Sequence, residues 1–173
     1  MRRFFWLLVL VALLTGGCDV EMASESSTAR SGNGSDENVR VVRVVDGDTI
    51  SVEIDGREER LRYIGIDTPE SVQPNTPVEC FGIEASEENK RLVEGKRVVL
   101  ERDVSNRDRY DRLLRYVYVV DGSTRTFVNQ ALVEGGFAFA SSFPPDVKYQ
   151  DQLRAAQRKA RDEGRGLWGA CTP

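Results

Sequence analysis

The tightest constraint on the fold is a succession of short strand-like segments punctuated by aspartate-glycine pairs. Residues 39–45, 49–54 and 59–66 read as strands, and the second and third are joined by Asp55-Gly56. Asp-Gly is a strong hairpin signal because both central residues of the favoured two-residue turn need positive φ. Residues 97–101 and 114–120 are strand-like too. The latter alternates through Arg115-Tyr116-Val117-Tyr118 before a second such pair, Asp121-Gly122.

Helical patterns lie between and after these strands. Residues 83–94 put Ala85, Asn89 and Leu92 on one side and charges on the other. Residues 127–134 space Val128, Ala131 and Leu132 helically and stop at Gly135-Gly136. Residues 148–163 align Tyr149, Leu153, Ala156 and Ala160 on one stripe, with Arg154, Arg158 and Arg161 elsewhere. Such stripes read as core rather than binding surface. Five strands, a helix inserted before the fourth and helices to finish predict an α+β domain of mainly β character. The expected architecture is an oligonucleotide-binding (OB) fold, a small five-stranded barrel packed by about three helices. At 173 residues without internal repeats, the chain has room for one such domain.

Residues 1–18 stand apart from that domain. Arg2 and Arg3 precede eleven unbroken apolar residues, too few to span a membrane, and small residues lead into Cys18. This layout is that of an export signal, and "LLTGGC" resembles a bacterial lipobox whose cysteine is lipidated. Simple secretion or an uncleaved anchor are the alternatives, and "RRFF" admits a twin-arginine reading beside the general export route. Residues 19–38 have no aromatic side chain and are rich in Ser, Gly and Glu, so they read as a flexible tether to a domain over residues 39–173. The expected location is the outer face of the cell membrane, or the medium. If Cys18 carries lipid, Cys80 and Cys171 remain, and an exported chain favours pairing them over leaving two free thiols.

The chain contains no histidine. That removes Ser-His-Asp and Cys-His nucleophile schemes and leaves any acid-base chemistry to carboxylates. In "VVDGDTISV", Asp46 and Gly47 suit a turn, while Asp48 either caps it or points at a partner. In "RLRYIGIDTPE", Pro69 ends the strand and opens a loop bearing Asp67 and Glu70. Alternation places Arg62 on one face with Ile64 and Ile66, an expensive position for a cation unless an anion meets it. In "DRYDRLLRY", Arg112 sits immediately before a strand, held more firmly than a loop-tip arginine would be. Asp48 and Asp67 on neighbouring strands, with the Thr68 carbonyl, form a hard oxygen set suited to Ca²⁺. Two arginines able to grip a phosphate, and Glu70 as the obvious base, suggest a phosphodiester substrate.

Taken in order, "VVDGDTISV", "RYIGIDTPE", "FGIEAS", "DRYDRLLRY", "VNQALVEGGFA" and "GLW" closely resemble the staphylococcal nuclease family over nearly the whole domain. The resemblance implies an OB-fold, Ca²⁺-dependent nuclease that cleaves DNA and RNA to 3′-phosphate ends. By the same resemblance, Asp48, Asp67 and the Thr68 main chain are metal ligands and Glu70 activates water. Arg62 and Arg112 match the phosphate-binding arginines, and Asp46 an acidic neighbour. Arg109 and Tyr110 resemble substrate contacts, as does Phe143, which can stack on a base but stands where the family often has tyrosine. Asp111 occupies what is usually a glycine, and an altered turn under Arg112 is the expected consequence. No protein partner is implied, and the domain reads as a monomer.

Charge tempers this expectation. The chain has 24 basic and 28 acidic residues; the first 38 hold three and five of them, leaving the domain 21 and 23, net −2. Bulk attraction to nucleic acid is therefore weak, and local arginines with Ca²⁺ must supply it. The competing readings are a non-catalytic OB-type nucleic-acid-binding module at the cell surface and a structural lipoprotein on the same scaffold.

Overall fold

The computed structural model describes residues 35–71 and 77–171, with side chains from Asn38 onward. The expected export signal with Cys18, and the tether up to residue 34, lie outside the described residues. Within them, strands β1 (Ser35–Val44), β2 (Thr49–Ile54) and β3 (Arg57–Tyr63) form an antiparallel meander. The β2–β3 hairpin turns at Asp55 and Gly56, both at positive φ, with Ile54 opposite Arg57. A short β4 (Ile66–Asp67) and helix α1 (Gly82–Val93) follow, then β5 (Arg97–Glu101), β6 (Leu113–Asp121) and β7 (Thr124–Phe127). Helix α2 (Val128–Glu134), the two-residue β8 (Phe139–Ala140), helix α3 (Gln150–Asp162) and the single turn α4 (Leu167–Ala170) complete the chain.

The sheet runs β3-β2-β1-β5-β6-β7, and β3 also pairs in parallel with β6, which closes β1, β2, β3, β6 and β5 into a barrel. The expected five-stranded OB barrel is therefore present. Its interior is filled by Ile50 and Val52 of β2, Leu61 and Tyr63 of β3, Val98 and Leu100 of β5, and Leu113 and Val117 of β6. Val128, Leu132 and Val133 of α2 and Leu153 of α3 pack against the same core.

Three features differ from the expectation. First, β1 begins at Ser35, so the last residues of the expected tether pair with β5, Ser35 opposite Glu101. Second, β4, β7, β8 and α4 went unpredicted, since segments of two to four residues carry no periodicity. Third, the expected strand over 59–66 ends at Tyr63 and restarts at Ile66. Gly65 causes the break: its φ is 80°, and a Cβ there would lie 2.6 Å from Leu153 Cδ1. Alternation past Tyr63 is thereby lost. Ile66 joins Leu61 and Tyr63 in the main core instead of sharing a face with Arg62.

Cys80 and Cys171 are bonded, 91 residues apart. Among the described residues no helix is long and apolar enough to cross a membrane.

Candidate active site

The β1–β2 connection is a tight turn in which the Val45 and Asp46 amides both donate to the Thr49 carbonyl, at 2.9 and 3.2 Å. Asp46 Oδ1 accepts the Asp48 amide (3.1 Å), so Asp46 shapes the bend. Asp48 faces inward and is 2% exposed. Its Oδ2 accepts the Thr68 amide (2.9 Å), its Oδ1 accepts the Thr49 hydroxyl (3.2 Å) and pairs with Arg62, and its carbonyl accepts the Tyr63 amide (2.9 Å). Asp48 thus stitches the β1–β2 turn to β3 and to the segment after β4. Gly47 permits the approach, since a Cβ there would fall 2.7 Å from Thr68 Oγ1.

Arg62 stands opposite Thr49 in the β2–β3 ladder. One end of its guanidinium pairs with Asp48, and Nη2 donates to Asp67 Oδ1 (2.5 Å) and to the Ile66 carbonyl (3.3 Å). Asp67 lies in β4 opposite Phe139 of β8, its carboxylate largely in solvent. The arginine expected to need an anion therefore has two, and they are the two aspartates read as metal ligands.

Asp108 holds Arg112. Its carboxylate accepts the Arg112 amide (3.0 Å), Arg112 Nε (2.7 Å) and the Tyr110 amide (2.9 Å), and pairs with Arg112 Nη2 (2.7 Å). Burial alone would raise its pKa, but these bonds hold Asp108 below the usual aspartate range. Asp111 takes φ 65°, the left-handed conformation a glycine would adopt, and the Arg112 amide still reaches Asp108. Aspartate is among the non-glycine residues that tolerate this conformation.

Arg62 and Arg112 line one open cleft of about 230 Å³, with Asp108, Asp146 and Phe143 also on its walls. The parallel β3–β6 pairing, Arg62 opposite Leu114, brings together two arginines fifty residues apart. Phe143 is 67% exposed and Tyr110 63% exposed. Tyr110 lies outside the cleft wall, stacked with Arg109, whose Nη2 meets its hydroxyl at 2.5 Å and whose guanidinium carbon is 4.7 Å from the ring centre.

Glu70 is exposed, just beyond Thr68 and Pro69, and does not line the cleft. Partial burial and the negative charges of Asp46, Glu79 and Asp67 raise its pKa, against the lowering effect of Arg62. Asp46 is raised as well, by burial, with Thr49, Arg62 and Arg112 opposing. Among the described residues no three His, Cys, Asp or Glu side chains converge as a metal set. Asp48 and Asp67 offer carboxylate oxygen beside main-chain carbonyls, and an all-oxygen set of this kind suits a hard ion rather than a transition metal.

Sequence reasoning missed several supports. Asn89, wholly buried on α1, donates to the Asp46 carbonyl (3.0 Å) and accepts the Tyr63 hydroxyl (2.9 Å). Burial pushes that phenol far up, so it remains a donor. Asn129 on α2 likewise donates to the Ile64 carbonyl and accepts the Val117 amide, both at 2.9 Å. An asparagine inside an apolar helical stripe was the available signal in each case. For Asp108 it was the four-residue spacing to Arg112.

Comparison with known proteins follows the same lines. The family described as "Staphylococcal nuclease homologue" matches residues 60–170. The thermonuclease of Staphylococcus hyicus is 37% identical over 171 residues, 97% of this chain and 99% of its own. That of Staphylococcus intermedius is 42% identical over 132 residues, 76% of each chain. Endonuclease YncB of Bacillus subtilis is 41% identical over 133 residues, 76% of this chain and 61% of its own.

Proposed function

The chain belongs to the staphylococcal nuclease family, and from that premise we propose that it is a calcium-dependent nuclease hydrolysing DNA and RNA to 3′-phosphate ends. The observation that carries the reading is the cleft wall shared by Arg62 and Arg112. Asp108 engages Nε and Nη2 of Arg112, so the Nη1 donors remain for a phosphate. Asp48, Asp67 and the Thr68 carbonyl would hold the calcium ion, whose chemistry there is to polarise a phosphoryl oxygen and acidify bound water.

The chain's own groups account for the remaining chemistry. Arg62, released in part from Asp67 when a phosphate arrives, donates to an equatorial oxygen. Arg112 does the same from the opposite side, and both contacts strengthen as charge grows. Glu70, whose raised pKa suits a base, takes a proton from the attacking water. A phosphorus–oxygen bond forms to that water, the bond to the 5′ oxygen breaks, and the departing oxygen is protonated from solvent. Phe143 stacks on a base beside the cleft, with Arg109 and Tyr110 forming an outer contact. Cys18 carries lipid and anchors the exported chain to the outer face of the cell membrane, the support being the lipobox-like "LLTGGC", and the domain acts as a monomer.

The test is cleavage of single-stranded DNA by the full chain with Ca²⁺, with a chelator, and with Ca²⁺ and Glu70→Gln. The expected result is cleavage in the first tube, none in the second and a rate lower by about 100-fold or more in the third. Equal cleavage in all three, or none in any, removes the mechanism. Binding of the DNA without cleavage would instead favour the non-catalytic module.

A further inference from the structure

The backbone at Glu70 is tied at two points to a segment that ends in the disulfide. The Glu70 amide donates to Glu79 Oε2 at 2.9 Å, and the Glu79 amide donates back to the Glu70 carbonyl at 2.9 Å. The Gly82 amide donates to the Glu79 carbonyl (3.0 Å), and a Cβ on Gly82 would lie 2.5 Å from the Glu70 carbonyl oxygen. Between them stands Cys80, bonded to Cys171, followed by Phe81 at φ 70°, a backbone conformation that a bulky residue seldom adopts.

The far end of that bond is firmly based. Cys171 follows α4, and its amide donates to the Leu167 carbonyl (3.0 Å). Leu167 is 4% exposed, and its amide donates to the Gly136 carbonyl (2.8 Å) just past α2. A continuous path thus runs from the body of the barrel through α4 and the disulfide to Glu79 and then to Glu70. At the site, this path ends on the Glu70 backbone, which it meets through Glu79.

We propose that Glu79 and the Cys80–Cys171 disulfide are positioning elements for Glu70, so that opening the disulfide misplaces the base while the barrel stays folded. The inference rests on the nuclease reading for its catalytic consequence, but the brace itself is a property of the backbone. A displacement of the order of an ångström between a base and its water lowers turnover by about tenfold to a hundredfold. Substrate binding, carried by Arg62 and Arg112, should change little. Cys80 is exposed, so a dithiol in solution reaches it, reducing the bond to two thiols while being oxidised to its own cyclic disulfide.

The experiment compares the full chain oxidised, the same chain reduced with dithiothreitol (two further free thiols confirming the reaction), Cys80→Ser with Cys171→Ser, Glu79→Ala and Glu79→Gln. Hydrogen exchange at the Glu70 amide is read together with kcat and KM on single-stranded DNA with Ca²⁺. Loss of the disulfide, or Glu79→Ala, should speed Glu70 exchange by about tenfold or more while barrel amides stay protected. It should lower kcat by about tenfold with KM within about threefold. Glu79→Gln keeps an acceptor oxygen for the Glu70 amide and should stay near the parent in Glu70 exchange. Unchanged Glu70 exchange on reduction, or an increase spread evenly over the barrel strands, would overturn the brace. An oxidised chain that never cleaves counts against the nuclease reading alone, since exchange still decides whether Glu70 is braced.

Discussion

Asp111 carries a left-handed backbone at φ 65° directly before Arg112, and its side chain is nearly in solvent. A β-branched residue at that φ pays the full steric penalty, whereas aspartate and glycine do not. Asp111→Val should therefore lower stability by about 1–2 kcal/mol, and Asp111→Gly should leave it within about 1 kcal/mol of the parent, by urea melts. Asp111→Gly should also leave kcat within about threefold. Asp108 adds a pH dependence. Its folded pKa is depressed, so its contribution is present above the ordinary aspartate value of about 3.9 and is lost as pH falls through the lower folded value. Asp108→Asn should flatten the acid limb of a Tm-versus-pH curve; an unchanged limb would show that the Arg112 contacts carry no stability. At this scale the sequence was informative about types and poor about partners. Asp48, Asp67, Arg62 and Arg112 stood out as charges in strand-like surroundings, but that Arg62 would bridge the two aspartates depends on a register no local pattern encodes.

Among the elements, α1 shows how a core helix serves a site. Its Asn89 closes a link from the part-buried Asp46 carbonyl to the buried Tyr63 hydroxyl. Asn89→Ala leaves that phenol without its partner, and should cost about 1–3 kcal/mol. Asn89→Leu should be no better, because the loss lies in hydrogen bonding rather than in volume. The β2–β3 hairpin was legible because its Asp-Gly pair, Asp55 and Gly56, takes positive φ; at the second pair Asp121 ends β6, and of the two only Gly122 takes positive φ. The break at Gly65 was not legible. A single glycine inside an apolar run reads as strand, and only the approach of Leu153 from α3 makes it a corner.

For the whole molecule, barrel closure by the parallel β3–β6 pairing decides function, and nothing in either strand announces it. Pairing across fifty residues leaves no local signature; what sequence offered was the count of strands and the order of motifs. The disulfide was legible from export-type chemistry, and its removal should cost at most about 4–5 kcal/mol in denaturant unfolding. With a domain net charge of −2, the binding of single-stranded DNA should fall only shallowly with salt, at a log–log slope of about −1, as expected for one phosphate gripped in the proposed cleft rather than a basic surface. On the proposed mechanism, Arg62 and Arg112 act on one phosphate in one cleft. Single-turnover cleavage of single-stranded DNA with Ca²⁺ by Arg62→Lys and Arg112→Lys tests it most directly, with circular dichroism confirming the fold. Each variant should lose about 100-fold or more in rate, because lysine keeps the charge but not the paired donors. Rates within about threefold of the parent for either variant would contradict the account.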